Sequence, residues 1–170
     1  MSESILNTNA IAFIGLCNEY CTVLETAAET EREEFVEQML KLLPRLYIAA
    51  TDLSVNFIED EEPYLDNVLD EDYYESIRRT VGNLMGEHDV YLEVFEEDMK
   101  YSDTPVSASI SEGLADIFQV LYNFLNTVRD STDEVTALAI LSVRDDFRGY
   151  WSMTLCNVLR ALNHIAYNQD

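Results

Sequence analysis

The stretch from Asp133 to Ala166, DEVTALAILSVRDDFRGYWSMTLCNVLRALNHIA, decides the fold. Apolar residues recur at Val135, Leu138, Ala139, Ile140, Val143, Phe147, Tyr150, Trp151, Leu155, Val158, Leu159, Leu162, Ile165 and Ala166, the three-and-four spacing of a 3.6-residue period. From Tyr150 onward two adjacent stripes are filled, Phe147-Tyr150-Thr154-Val158-Ala161-Ile165 and Trp151-Leu155-Leu159-Leu162-Ala166. A face that wide touches more than one neighbouring helix. We therefore expect an all-α bundle of five to six helices whose centre is a long C-terminal helix, or two helices in line. Ser131 with Glu134 reads as the capping box that opens it. Gly149 costs about 1 kcal/mol against Ala in a helix interior, so we expect another backbone to pass close to it. A bend is the alternative, since an unbroken helix would be roughly 50 Å long.

Working back to the N-terminus, Asn7-Thr8-Asn9 supplies caps for a first helix running to about Ala28, with Ile11, Ile14, Cys17, Cys21 and Leu24 facing inward. Thr30 with Glu33 is a second capping box, opening a helix with Phe35, Val36, Met39, Leu40, Leu43, Leu46 and Tyr47 on its face. Pro44 predicts a kink or short break near Leu42, because it removes an amide and crowds the preceding turn. An acidic irregular stretch follows, at about 54–70, with Phe57, Ile58, Tyr64 and Leu65 as anchors. Asp70 then caps a third helix to Met85, ended by Gly86. Tyr91, Leu92, Phe95 and Met99 predict a short fourth helix over Asp89–Met99. Pro105 breaks the pattern, and Ser109 with Glu112 starts a fifth helix through Leu114, Ile117, Phe118, Leu121, Phe124, Leu125 and Val128. There is no internal repeat and no alternating strand pattern of useful length. Residues 1–170 read as one helical domain.

Composition narrows the function. A chain of 170 residues with 48% hydrophobic residues, seven Phe and ten Tyr can bury a sizeable core. Its net charge of -23, from 33 acids against 10 bases, is therefore carried on a folded body. Such a field repels nucleic acid and anionic membranes and attracts basic partners. Cys17, Cys21 and Cys156 cannot all pair within one chain, which favours a reducing compartment. The apolar run Ala10–Cys17 lacks the preceding Lys or Arg of a signal peptide. No stretch has the roughly 18 apolar residues that a membrane span needs. We expect a cytoplasmic protein.

The segments Asp98-Met99-Lys100-Tyr101-Ser102-Asp103-Thr104-Pro105, Ile110-Ser111-Glu112-Gly113-Leu114-Ala115-Asp116-Ile117-Phe118-Gln119, Tyr150-Trp151 and Leu159-Arg160-Ala161-Leu162 carry a likeness. With them the chain resembles, over nearly its whole length, an uncharacterised family of small acidic all-helical bacterial proteins, a domain of unknown function. The resemblance implies an all-helical fold in a bacterial cytoplasm and supplies no catalytic residue.

Chemistry offers few sites. Neither His88 nor His164 has a carboxylate three residues before it, Met85 and Ala161 standing there, so the Glu-x-x-His pair of di-iron bundles is missing. The five glycines are too scattered to cradle phosphate, and there is no Gly-x-Ser-x-Gly elbow. Cys17 and Cys21 share a helical face and could join His164 around zinc, but both fall on an apolar stripe and read as core, as does Cys156. Asp89, Glu93, Glu96 and Glu97 stack at helical spacing, and read as a solvated acidic face in the absence of the Asp-rich, glycine-turned loop of a calcium site. No cofactor and no metal is expected.

The arginines stand out in so acidic a chain. Arg148 and Arg160 lie within the aromatic C-terminal stretch, and Arg160 shares an edge with Asn157 and His164. We expect one or both to reach carboxylates between Tyr101 and Asp116, with Asp103 and Asp116 the candidates. Such contacts make either a structural ion pair that docks the fifth helix or a polar pocket beside Tyr101, Tyr150 and Trp151 that holds a small ligand. Three functions stay open. The first is a non-enzymatic acidic module that binds a protein with a basic surface. The second is a small-ligand-binding or enzymatic protein using the pocket near Arg160. The third is a nucleic-acid mimic, since Asp52–Asp98 holds 16 acids against Arg78 and Arg79.

Overall fold

The computed structural model describes residues 6–55, 62–93 and 106–168. Helices α1 (Thr8–Glu25), α2 (Arg32–Thr51), α3 (Glu71–Met85), α4 (Ile110–Val128), α5 (Asp133–Asp146) and α6 (Ser152–Tyr167) form the bundle, and a π-helical turn, Phe147–Trp151, joins α5 to α6. Strands β1 (Val90–Leu92) and β2 (Ser107–Ser109) make one small antiparallel ribbon, with Tyr91 opposite Ala108. The long C-terminal helical stretch is present and shares the centre with α4, which packs against α1, α3, α5 and α6.

Local signals place most helix starts. Asn7 caps α1 by accepting the Ala10 amide at 2.9 Å, and Asp70 caps α3 by accepting that of Tyr73 at 2.7 Å. Ser109 accepts the Glu112 amide at 3.2 Å, one half of the expected box. Two boxes do not form. α2 begins after Glu31 without a side-chain cap, and the cap of α5 is Thr132, which accepts the Val135 amide. Ser131 instead holds the turn, donating to the Val128 carbonyl and meeting the Thr136 hydroxyl.

The inward face of α1 is turned from the expected one. Ala10, Phe13, Cys17, Tyr20, Cys21 and Leu24 are buried, while Ile11 is 58% exposed. The two large aromatics claim the core. Helix α2 runs through Pro44 without the expected break, with Leu42, Leu43 and Leu46 all buried. Packing on both sides of the proline outweighs the roughly 3 kcal/mol an interior proline costs.

Gly149 has no neighbour within 4 Å of where a Cβ would stand, so the expected close approach is not there. The chain accommodates the position by a wide turn. Buried Val143, Phe147, Trp151 and Leu155 fall four apart. Over that span a straight α-helix would carry them about a third of a turn off one face. The π turn takes up the extra residue and keeps all four inside. Trp151 locks it by donating its indole N–H to the Val143 carbonyl at 3.2 Å. Its ring lies 4.6 Å from that of Phe147 and 6.4 Å from that of Phe13. A close approach occurs instead at Gly113, by side chains of α6: a Cβ there would lie 2.5 Å from Val158 Cγ2.

The acidic stretch before α3 is held by polar groups of α4. Buried Asn123 accepts the amides of Val68 and Leu69 through Oδ1, at 3.0 and 2.9 Å. Thr127 accepts the Asp66 amide and donates to the Asn123 carbonyl. Of the expected anchors, Leu65 packs against the core and Tyr64 is 48% exposed. Phe57 and Ile58 lie outside the described residues. Residues 90–92 form a strand where a helix was expected, because Tyr91 pairs with Ala108 and Glu93 N–H donates to the Val106 carbonyl at 2.7 Å. Phe95 to Met99 lie outside the described residues.

Candidate functional site

The ribbon, the first turns of α4 and the start of α6 enclose a cleft of about 250 Å³. The Ser109 cap fixes the direction of α4, so Glu112 and Asp116, four residues apart, lie on one face and look into it. Strand pairing sends Tyr91 and Glu93 to the same side. The π turn brings Tyr150 against α4, and Met153, Thr154 and Asn157 follow along α6.

Asp116 is the fixed point. Its Oδ1 accepts the hydroxyl of Tyr74, on α3, at 2.5 Å, and its Oδ2 accepts the hydroxyl of Tyr150 at 2.9 Å. Burial, then the hydrogen bond to Asp116 and its charge, push the Tyr150 hydroxyl up to about 12. Tyr74 moves the same way for the same reasons. Both therefore remain donors at neutral pH, and the carboxylate ties α3 and the π turn to α4. Opposite it, Asn157 donates to Glu93 Oε2 at 2.9 Å. Burial, then the charge of Glu93, raises the Tyr91 hydroxyl, with Arg160 opposing.

The expected arginine–carboxylate pairing is not made. Arg160 donates through Nη2 to the Leu92 carbonyl at 2.6 Å, with Cζ 6.0 Å from the centre of the Tyr91 ring. Residues 92 and 107 are a non-hydrogen-bonded pair of the ribbon, so this carbonyl points away from β2 and leaves room for the guanidinium. Asp116 meanwhile has both oxygens engaged by tyrosines. Trp151 is wholly buried in the core and does not line the cleft. Arg148 is exposed and makes no hydrogen bond or ion pair among the described residues. His164 is exposed in the last turn of α6, and Tyr101 and Asp103 lie outside the described residues. Of the candidates, then, Asp116 and Tyr150 meet in the cleft and Arg160 stands at its ribbon wall.

The cysteines divide. Cys17 and Cys21 are buried, and burial raises both thiols, that of Cys21 to about 12. Cys156 is exposed, contrary to the expected core position. Asp89, expected in a solvated acidic stack, caps α4: it accepts the Ser111 amide at 2.8 Å and the Ser111 hydroxyl at 2.6 Å. Glu93 lies in the cleft, and Glu96 and Glu97 are outside the described residues. Among the described residues no three His, Cys, Asp or Glu side chains converge closely enough to hold a metal ion.

Sequence reasoning missed Tyr91, Glu93 and Asn157 as cleft residues, and Tyr74 as a partner of Asp116. Only the Glu112–Asp116 spacing behind a helix cap signalled the site, since the other four depend on strand pairing or on which helices touch. A larger groove, about 450 Å³, runs between α2 and the end of α6. Its cations are already engaged, Lys41 by Glu37 and Arg32 by the Met85 carbonyl.

The crystal structure of protein BF1032 from Bacteroides fragilis is similar to this chain, with a TM-score of 0.83 and 29% identity over 99% of this chain and 98% of that one. No curated protein matches. The model of a family described as a domain of unknown function, DUF5063, matches residues 4–168, and the chain belongs to that family.

Proposed function

We propose that the protein is a non-enzymatic, acidic protein-binding module of the bacterial cytoplasm whose partner is a protein with a basic surface. One observation carries this: the surplus negative charge is not neutralised within the molecule. Among the described residues, only Glu19, Glu37, Glu75, Glu87 and Asp145 lie within 4.0 Å of a cationic nitrogen, and Glu87 faces a histidine. No other described carboxylate of this chain, whose net charge is -23, has a cation that close. Such a field speeds encounter and selects for basic surfaces more than it adds affinity. The three thiols are unpaired, in keeping with a reducing compartment. Among the described residues no helix is long and apolar enough to cross a membrane.

The test is capture of partners by the tagged protein from lysate of its own host, at low and at moderate salt and with nuclease. A reproducible basic protein whose capture falls with salt supports the module. Capture indifferent to salt, or none at either salt, overturns it. Displacement of the captured protein by duplex DNA identifies a nucleic-acid mimic instead.

A further inference from the structure

We infer that the cleft between the ribbon, α4 and α6 receives one arginine side chain of the basic partner, an assignment that rests on the module proposed above. Size speaks first. At about 250 Å³ the cleft is smaller than the roughly 300–1,000 Å³ of pockets that enclose small molecules, and suits a single side chain. Its charge comes next. Glu93, Glu112 and Asp116 line it, and no Lys, Arg or His does. These carboxylates do not converge on one point as a small metal ion requires, whereas the five donors of a guanidinium are spread over a planar fork.

The walls favour guanidinium over ammonium. Tyr91 and Tyr150 line the cleft, and a planar, weakly hydrated cation stacks on such rings. Arg160, outside the cleft lining, shows the same preference: its Cζ stands 6.0 Å from the centre of the Tyr91 ring and it donates to the Leu92 carbonyl. The receiving carboxylate is set before a ligand arrives. Tyr74 and Tyr150 hold the two oxygens of Asp116, each of which keeps a second lone pair for an incoming N–H. That rigidity lowers the ordering cost of binding.

The experiment is an NMR titration of the full chain with a short blocked peptide carrying one arginine among glycines, beside its lysine and citrulline counterparts. We expect saturable shifts at Gly113, Thr154 and Asn157 with arginine, weaker binding by lysine and none by citrulline. Glu112→Gln, on the exposed first turn of α4, and Glu93→Gln each weaken the arginine peptide by about tenfold, the loss of one charge-assisted contact. Saturable shifts mapping elsewhere, equal binding of arginine and lysine, or two indifferent variants overturn the assignment. A polyarginine peptide separates this failure from that of the module. If it binds in a salt-sensitive way while the single-arginine peptide ignores the cleft, the cleft assignment falls and the acidic module stands. If no basic peptide binds, both fall.

Discussion

Two glycines in this chain do opposite things. A Cβ on Gly113 would stand 2.5 Å from Val158 Cγ2 and 3.4 Å from Thr154 Cγ2, so Gly113→Ala forces α4 and α6 apart. We expect it to destabilise the fold by about 1–3 kcal/mol in denaturant titration. Gly149 has open space around its missing Cβ and no positive φ. Gly149→Ala therefore stabilises by about 0.5–1 kcal/mol, through the smaller entropy of its unfolded chain. Equal effects at the two sites would contradict the crossing. The Tyr150 hydroxyl, bound to Asp116, is a raised acid. Tyr150 ionises at about 12 in the fold against an ordinary 10.0. Folding favours its protonated form, a contribution complete below pH 10 and lost as pH rises towards 12. Tyr150→Phe flattens the decline of stability across that window. At neutral pH it costs at most about 1 kcal/mol, because the ring is 48% exposed. An alkaline stability profile unchanged by the substitution would show that the pair contributes nothing.

At the scale of elements, α4 organises by polar contacts as much as by its apolar stripe. Asn123 is buried in it and holds two backbone amides of an extended segment that no strand covers. Asn123→Ala leaves those donors without an acceptor, which costs about 1–3 kcal/mol. Amide exchange should accelerate at Val68 and Leu69 more than in α1 or α2. Uniform acceleration would instead mean that the loss is global. The π turn shows the same division between pattern and packing. The apolar period was plain on both sides of Gly149, yet the wide turn was not, because it answers to Phe13 on another helix stacking against Trp151. Strand β1 was unreadable for a like reason. Three residues carry too little alternation to outvote a helical spacing, and the partner Ser107–Ser109 is remote in sequence.

Over the whole molecule, charge -23, with few ion pairs among the described residues, sets a repulsive background. Screening should relieve it, so we expect the melting temperature to rise by several degrees from low to moderate salt. A fall with salt, read by calorimetry, would mean that local attractions dominate, which the exposure of those ion pairs argues against.

Sequence alone determined the helical class, most helix boundaries, the caps at Asp70 and Ser109, and the acidic character, because each follows from neighbours within a turn or from a sum over residues. Tertiary structure alone decided that Tyr74 and Tyr150 hold Asp116, that Arg160 turns to the Leu92 carbonyl, and that Trp151 belongs to the core. Those contacts join residues between 8 and 68 positions apart. A side chain's partner at that range is chosen by how whole helices and the ribbon pack, and no local period encodes that.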